Sequence, residues 1–302
     1  MKTRIIIMIM SVFLLSGCNL SNAPDTSTIG IHPDTVIKTE VVNNNTMPVI
    51  TTELIAEIAQ GKVEGASLIH KFGASELTTS MGPITQSKTY QTPETAMSLE
   101  FVSGSAQDGV GGTGALEITI VGLNSSWEEV TQVISTNGLT PVQIPINLTR
   151  LYRWYVSSSG SYSNPLTASH SGELTIRGIG GGTVWSKIVI DPLPIAQSQI
   201  GVYTIPAGKV GYLLSKNVFT DTSKSADIYL FQRCNANDTI SPYSGIRKLI
   251  EREVGVQGGF SISFEGGKGP FIGPCDIGFM GGVSVGTADV SVEFELVQLN
   301  SN

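Results

Sequence analysis

Charge is scarce in this 302-residue chain, and positive charge is the scarcer kind. Only 14% of the residues are Asp, Glu, Lys or Arg, with 25 acidic against 18 basic. An acidic, sparsely charged chain has no electrostatic footprint for DNA or RNA, whose binding rests on neutralised phosphates. Anionic membrane surfaces are excluded as partners for the same reason. Histidine is equally thin. His32, His70 and His170 share no metal-ligand spacing with each other or with the three cysteines, so no metal is expected.

Local catalytic signatures are missing too. Gly282-Val283-Ser284-Val285-Gly286 has the letters of a nucleophile elbow, but strand-like TADVSVEFEL follows it and no histidine stands after His170. Gly267-Lys268 is followed by Gly269 rather than Ser or Thr, so no phosphate loop is present. Glu128 and Glu129 are adjacent, which on a strand points them to opposite faces. A glycosidase could still assemble acids distant in sequence. The expectation is no catalytic residue, no cofactor and no enzyme.

What is present begins at the first residue. Lys2 and Arg4 precede an apolar run, Ile5 to Leu15, interrupted only by Ser11. That run is about half of the roughly 20 residues that cross a bilayer, so it fits a cleaved signal better than a span. Leu15-Ser16-Gly17-Cys18 then sets small residues before a cysteine, the pattern of bacterial lipoprotein processing. The expectation is a lipid-modified Cys18, export, and attachment to the cell envelope through the lipid. Losing residues 1–17 removes Lys2 and Arg4 and no acid, taking the net charge from −7 to −9. Cys234 and Cys275 then remain, a pair for one disulfide in an oxidising compartment or for two buried thiols in a reducing one.

Thirty-four glycines and 40% hydrophobic residues suggest many turns and short strands. Residues 18–50, rich in Asn, Thr, Ser, Asp and Pro, read as a flexible tether. Thr52 is placed to cap a short helix, ELIAEIAQ, stopped by Gly61. In ALEITIVGL, Leu116, Ile118 and Ile120 alternate with Glu117 and Thr119. Val290, Val292, Phe294 and Leu296 alternate with Ser291, Glu293 and Glu295. Both are the period-two signature of a strand with one buried and one wet face. Clusters of Gly, Pro, Asn and Ser separate such runs, which predicts antiparallel strands joined by hairpins. YTIPAGKVGYLL reads as one such hairpin, turning at Pro206-Ala207-Gly208.

The predicted fold class is all-β: two antiparallel β-sandwich or jelly-roll-like domains behind the tether and the short helix. The boundaries are 1–17 for the signal, 18–50 for the tether, 51–98 for the helical segment, 99–192 and 193–302 for the β-domains. The proline-bearing IDPLPIAQSQ, residues 190–199, supplies the division between the last two. One cluster suggests contact with a partner. In LYRWYV, Tyr152 and Trp154 would share one strand face, Arg153 and Tyr155 the other. Exposed, such residues anchor partners; buried, they fill a core.

Five segments, GKVEGASLIHKFGAS (61–75), FVSGSAQDGVGGTGALEITIVGLNSSWEEV (101–130), NGLTPV (137–142), RLYRWYV (150–156) and YTIPAGKVGYLL (203–214), carry a resemblance by their order and spacing. Together they resemble a family of virion structural proteins from marine tailed phages, from about residue 55 to the C-terminus. The resemblance implies a non-enzymatic, β-rich protein on a particle, with virion proteins as partners; a homo-oligomer is expected by fold-level analogy. A lipoprotein signal sits oddly on a protein that assembles in the cytoplasm. Three histories accommodate it: a phage protein with a second role at the envelope, a bacterial surface lipoprotein whose β-domains bind a glycan or protein, or translation from a later methionine such as Met47.

Overall fold

The computed structural model describes residues 52–160, 169–190 and 195–301. Cys18, His32, the signal and the tether lie outside these residues, as do residues 191–194 of the expected boundary segment. Helix α1 (Thr52–Ala59) comes first, followed by β1 (Ser67–Leu77) and the two-residue β2 (Gly82–Pro83). Next are β3 (Leu99–Ser103), β4 (Ala115–Leu123), β5 (Glu129–Ser135), β6 (Val142–Gln143), β7 (Arg150–Ser159), β8 (Leu174–Gly178) and β9 (Val184–Ile188). The last group is β10 (Val202–Ile205), β11 (Lys209–Thr220), β12 (Ala226–Cys234), β13 (Lys248–Val256), β14 (Gly258–Ile272), β15 (Cys275–Gly282) and β16 (Ala288–Asn300). The fold is all-β, and each strand pairing is antiparallel.

The strands make four sheets that bury two main cores. Sheets β6-β3-β8-β9 and β5-β4-β7 enclose one, built on Leu99, Phe101, Ile118, Ile120, Trp154, Ile176 and Trp185. Sheets β1-β16-β11-β14 and β10-β15-β12-β13 enclose the other, around Leu213, Val218, Ile228, Leu230, Phe279, Val292 and Phe294. Strand β16 follows its sequence pattern closely. Val290, Val292, Phe294 and Leu296 are buried, whereas Ser291 and Glu295 are exposed. Each buried aliphatic or aromatic side chain is worth roughly 1.5–3 kcal/mol of transfer free energy, so the stripe is a principal source of sheet stability.

Three local expectations change. Strand β4 is not wet on its second face, because Thr119 is also buried. It lies between its register partners Val133 and Tyr155, whose larger side chains share its face. Pro206-Ala207-Gly208 does turn the chain, with Gly208 at φ 71° and Lys209 N–H donating to Pro206 O at 3.3 Å. The flanking strands do not form a hairpin, however. Strand β10 pairs with β15 while β11 pairs with β14 and β16, so the turn is an arch from one sheet to the other. All four residues of β10 are buried, and crossing between sheets lets them pack into the core instead of lining β11. Thr52 falls within α1 as its first residue. Gly61, at φ 70°, ends the helix as expected, with its N–H on Ile58 O and that of Lys62 on Glu57 O.

Helix α1 lays Leu54, Ile55 and Ile58 over a small apolar cluster of Tyr212, Leu214 and Val297. Cys234 ends β12 and Cys275 opens β15. They are direct register partners, joined by a disulfide with sulfurs 2.01 Å apart.

Candidate functional site

Four groups of polar side chains stand out, three of them holding the fold together. In the first, the glycine-rich run GSAQDGVGGTG is organised by Asp108, which is fully buried. Its carboxylate accepts from Ser103 Oγ at 2.5 Å, from the N–H of Ala115 at 2.8 Å, and from the N–H groups of Ser171 and Gly172 at 2.7 and 2.8 Å. Four donors on one carboxylate tie two loops to the start of β4. His170 packs beside them with Nδ1 2.8 Å from Gly172 O, and burial lowers its pKa.

The second is a buried ion pair joining β7 to β15. Arg150 donates from Nε to Asp276 Oδ1 at 2.8 Å and from Nη2 to Oδ2 at 3.0 Å, and both side chains are shut from solvent. Nη1 reaches Thr149 O at 2.8 Å, and the guanidinium lies 4.7 Å from the centre of the Trp127 ring. Thr204 Oγ1 donates to Asp276 at 2.6 Å and meets the Tyr90 hydroxyl, also at 2.6 Å. Burial first, and the Asp276 charge second, push the Tyr90 pKa upward, so this hydroxyl stays protonated. Third, Lys216 is buried against Glu251 and Glu253, and Lys268 also pairs with Glu251, tying β11, β13 and β14 together.

The fourth group opens to solvent. Strand β1 is the edge strand of its sheet, and the chain packs closely on it near Gly73, where a Cβ atom would stand 2.2 Å from Gly201 N and 2.5 Å from Ile84 O. Toward the start of β1 a cleft of about 170 Å³ appears, lined by Leu68, His70, Lys71, Phe72, Arg153, Gln197 and Ser198. Lys71 points inward, is 6% exposed, and donates Nζ–H to Tyr152 O. Burial, with the Arg153 charge adding to it, lowers its pKa to about 7. Arg153 is exposed, its guanidinium 5.2 Å from the centre of the Tyr155 ring. Ser198 Oγ accepts the Trp154 N–H at 3.0 Å, and Ser198 N–H donates to Trp154 O at 2.9 Å. At the rim, His70 Nε2 lies 2.5 Å from Glu293, whose carboxyl is held low by Asn217 and then by His70.

The residues singled out in LYRWYV therefore divide. Tyr152 and Trp154 are buried and serve the cores, as Tyr152 donates to Glu129 at 2.5 Å and Trp154 to Ser186 Oγ at 2.8 Å. Burial inside removes both from partner contact. Arg153 and Tyr155 lie on the other face, and Arg153 enters the cleft. Ser284 sits in the exposed turn between β15 and β16, a strand–turn–strand setting with no helix after it. Lys268 serves the ion-pair cluster of β14. Sequence reasoning missed Lys71. Its only signal was a lysine at an inward position of a strand whose neighbours Phe72 and Leu68 are apolar.

No known protein-family model matches the chain, and no curated protein matches it in sequence. Among solved structures, weak neighbours come from the capsid of infectious bursal disease virus. The structure of its Gx strain is 13% identical with a TM-score of 0.16, over 85% of this chain and 83% of that one. The crystal structure of its VP2 subviral particle is 10% identical with a TM-score of 0.14, over 80% and 78%. Values this low do not establish a shared fold.

Proposed function

We propose that this protein is a non-enzymatic structural and interaction protein of the phage-virion type, working by assembly with other particle proteins. The observation that carries the reading is a concentration of exposed apolar side chains in one stretch. Ile240, Tyr243, Ile246, Leu249 and Val254 are 78%, 53%, 60%, 58% and 62% exposed. Scattered apolar residues on a surface need no explanation, whereas we read five within one short stretch of chain as a contact surface. Its occupant in this reading is a neighbouring protein of the particle. The sequential order of the segments that resemble marine-phage virion proteins supports the same role, and an all-β sandwich architecture is compatible with it.

The lipoprotein-type signal favours a second reading, in which the chain is exported, anchored at Cys18, and binds a glycan or protein at the cell surface. Mass spectrometry of purified particles separates the two. The virion reading expects the chain at stoichiometric levels; its repeated absence from well-covered particles, with radiolabelled palmitate on Cys18 that a Cys18→Ala change removes, would establish the surface lipoprotein instead.

A further inference from the structure

The cleft beside β1 carries more than a packing role. We propose that it is a binding site for a single carboxylate group, held by Lys71, Arg153 and Ser198, with Leu68 and Phe72 against the body of the ligand. The site is independent of the assembly role and stands if that role fails.

The geometry argues for an anion first. An ammonium carries three donors, and Lys71, 6% exposed, gives one to the carbonyl of Tyr152. No described acid lies within ion-pair distance of Lys71 or of Arg153. A buried amine facing an exposed guanidinium across a cleft is unfavourable when the cleft holds water alone, and it is relieved by an anion placed between them. Ser198 adds to this. Its oxygen is occupied by the Trp154 N–H, which leaves its own proton to donate toward the cleft. Arg153 offers the planar fork that matches carboxylate oxygens two at a time. In a chain of net charge −7, the meeting of Lys71 and Arg153 at one opening is a local reversal of sign.

The lining then selects the carboxylate over a phosphate. Leu68 and Phe72 offer no donors for a phosphate's further oxygens, whereas a carboxylate sets its carbon body against them. Size agrees, because about 170 Å³ admits a carboxylate with one small ring or short chain, a little more than a cavity that holds benzene. Two sources share this chemistry: a free small carboxylate, and the acidic sugar of a polysaccharide.

Isothermal titration of the full chain with acetate, galacturonate, galactose and inorganic phosphate tests the site. Galacturonate is expected to bind with a Kd on the order of 1 mM and galactose not to bind. A tenfold preference for galacturonate over acetate identifies the glycan source, and equal affinity identifies the free carboxylate. Arg153→Gln, at an exposed position that leaves the core intact, should weaken binding about tenfold or more. Binding should also draw in a proton at pH 7.5, read from the dependence of the heat on buffer ionisation. The proton is taken by Lys71, the buried amine that faces Arg153 across the cleft, with the His70–Glu293 pair at the rim. Lys71→Met should abolish the uptake. No saturable heat up to about 50 mM galacturonate or acetate, phosphate binding more tightly than either, or binding unchanged in Arg153→Gln would each overturn the proposal.

Discussion

Arg150 and Asp276 show how much of this fold rests on single buried charges. Their two-point contact is sealed from solvent and further fastened by Thr204 and Trp127. Removing Asp276 leaves the Arg150 charge uncompensated in a low-dielectric interior, at a cost of about 3–5 kcal/mol, whereas removing Arg150 leaves Asp276 with Arg233, 3.7 Å away. Asp276→Ala is therefore expected to destabilise by that amount in urea unfolding, and Arg150→Met by less. The double variant Arg150→Met with Asp276→Leu should recover most of the loss. Additive single effects would mean that the two side chains act separately. Neither residue stood out in the sequence. A lone charge in an apolar strand is visible there, but 126 positions separate the partners, and nothing in the residues themselves signals which distant acid meets which base. The same holds for Asp108, which reads as one polar residue in a glycine-rich turn until its four donors are in place. Lys71 was hidden for the opposite reason, because its partner in the fold is a backbone carbonyl that no side-chain pattern reveals.

Strands were legible where one face is buried and the other wet. Strand β16 was read correctly because Ser291, Glu293 and Glu295 do face outward, while β4 misled because a central strand between larger neighbours hides a threonine as easily as an isoleucine. The turn at Pro206 to Gly208 was legible as a turn. Its partnering was not, since a hairpin and an arch use the same turn residues and differ only in which distant strands offer a better surface. Edge strand β13 carries Lys248, Glu251, Arg252 and Glu253, and charges along an edge discourage pairing with another chain's strand. Contacts through the neighbouring apolar side chains thus need not involve strand addition. At the far end of β12, the disulfide closes a loop spanning 41 positions that contains β13 and β14. Chain-entropy arguments give about 4 kcal/mol for a loop of this length. Replacing both cysteines by serine should lower the urea midpoint by a corresponding amount, and a midpoint unchanged by reducing agent would show that the bridge contributes nothing.

At the scale of the molecule, two cores are held in one compact unit, residues 48–302. Strand β7 serves both. Trp154 and Leu151 fill the first core, Tyr152 enters the second, and Arg150 grips β15. Strand β1, although early in the sequence, pairs along eleven positions with β16 of the second sandwich. A cut in the 190–199 segment therefore leaves β16 without an edge neighbour and β1 without a partner. Residues 193–302 expressed alone should lose amide protection at the β16 positions that donate to β1 while keeping it toward β11; co-expression with residues 48–192 should restore it. Full protection in the isolated segment would mean that β1 is dispensable.

The register of β1 on β16 has a mechanical side. Ser67 lies opposite Gln298 and Leu77 opposite Ala288, so the start of β1 and the end of β16 leave the sheet side by side. Tension between them loads the ladder one rung at a time, as a zipper is opened, instead of spreading over all rungs in shear. A protein held at one end and pulled at the other would shed α1 and then peel open at β1, at low force, while both sandwiches behind it stayed shut.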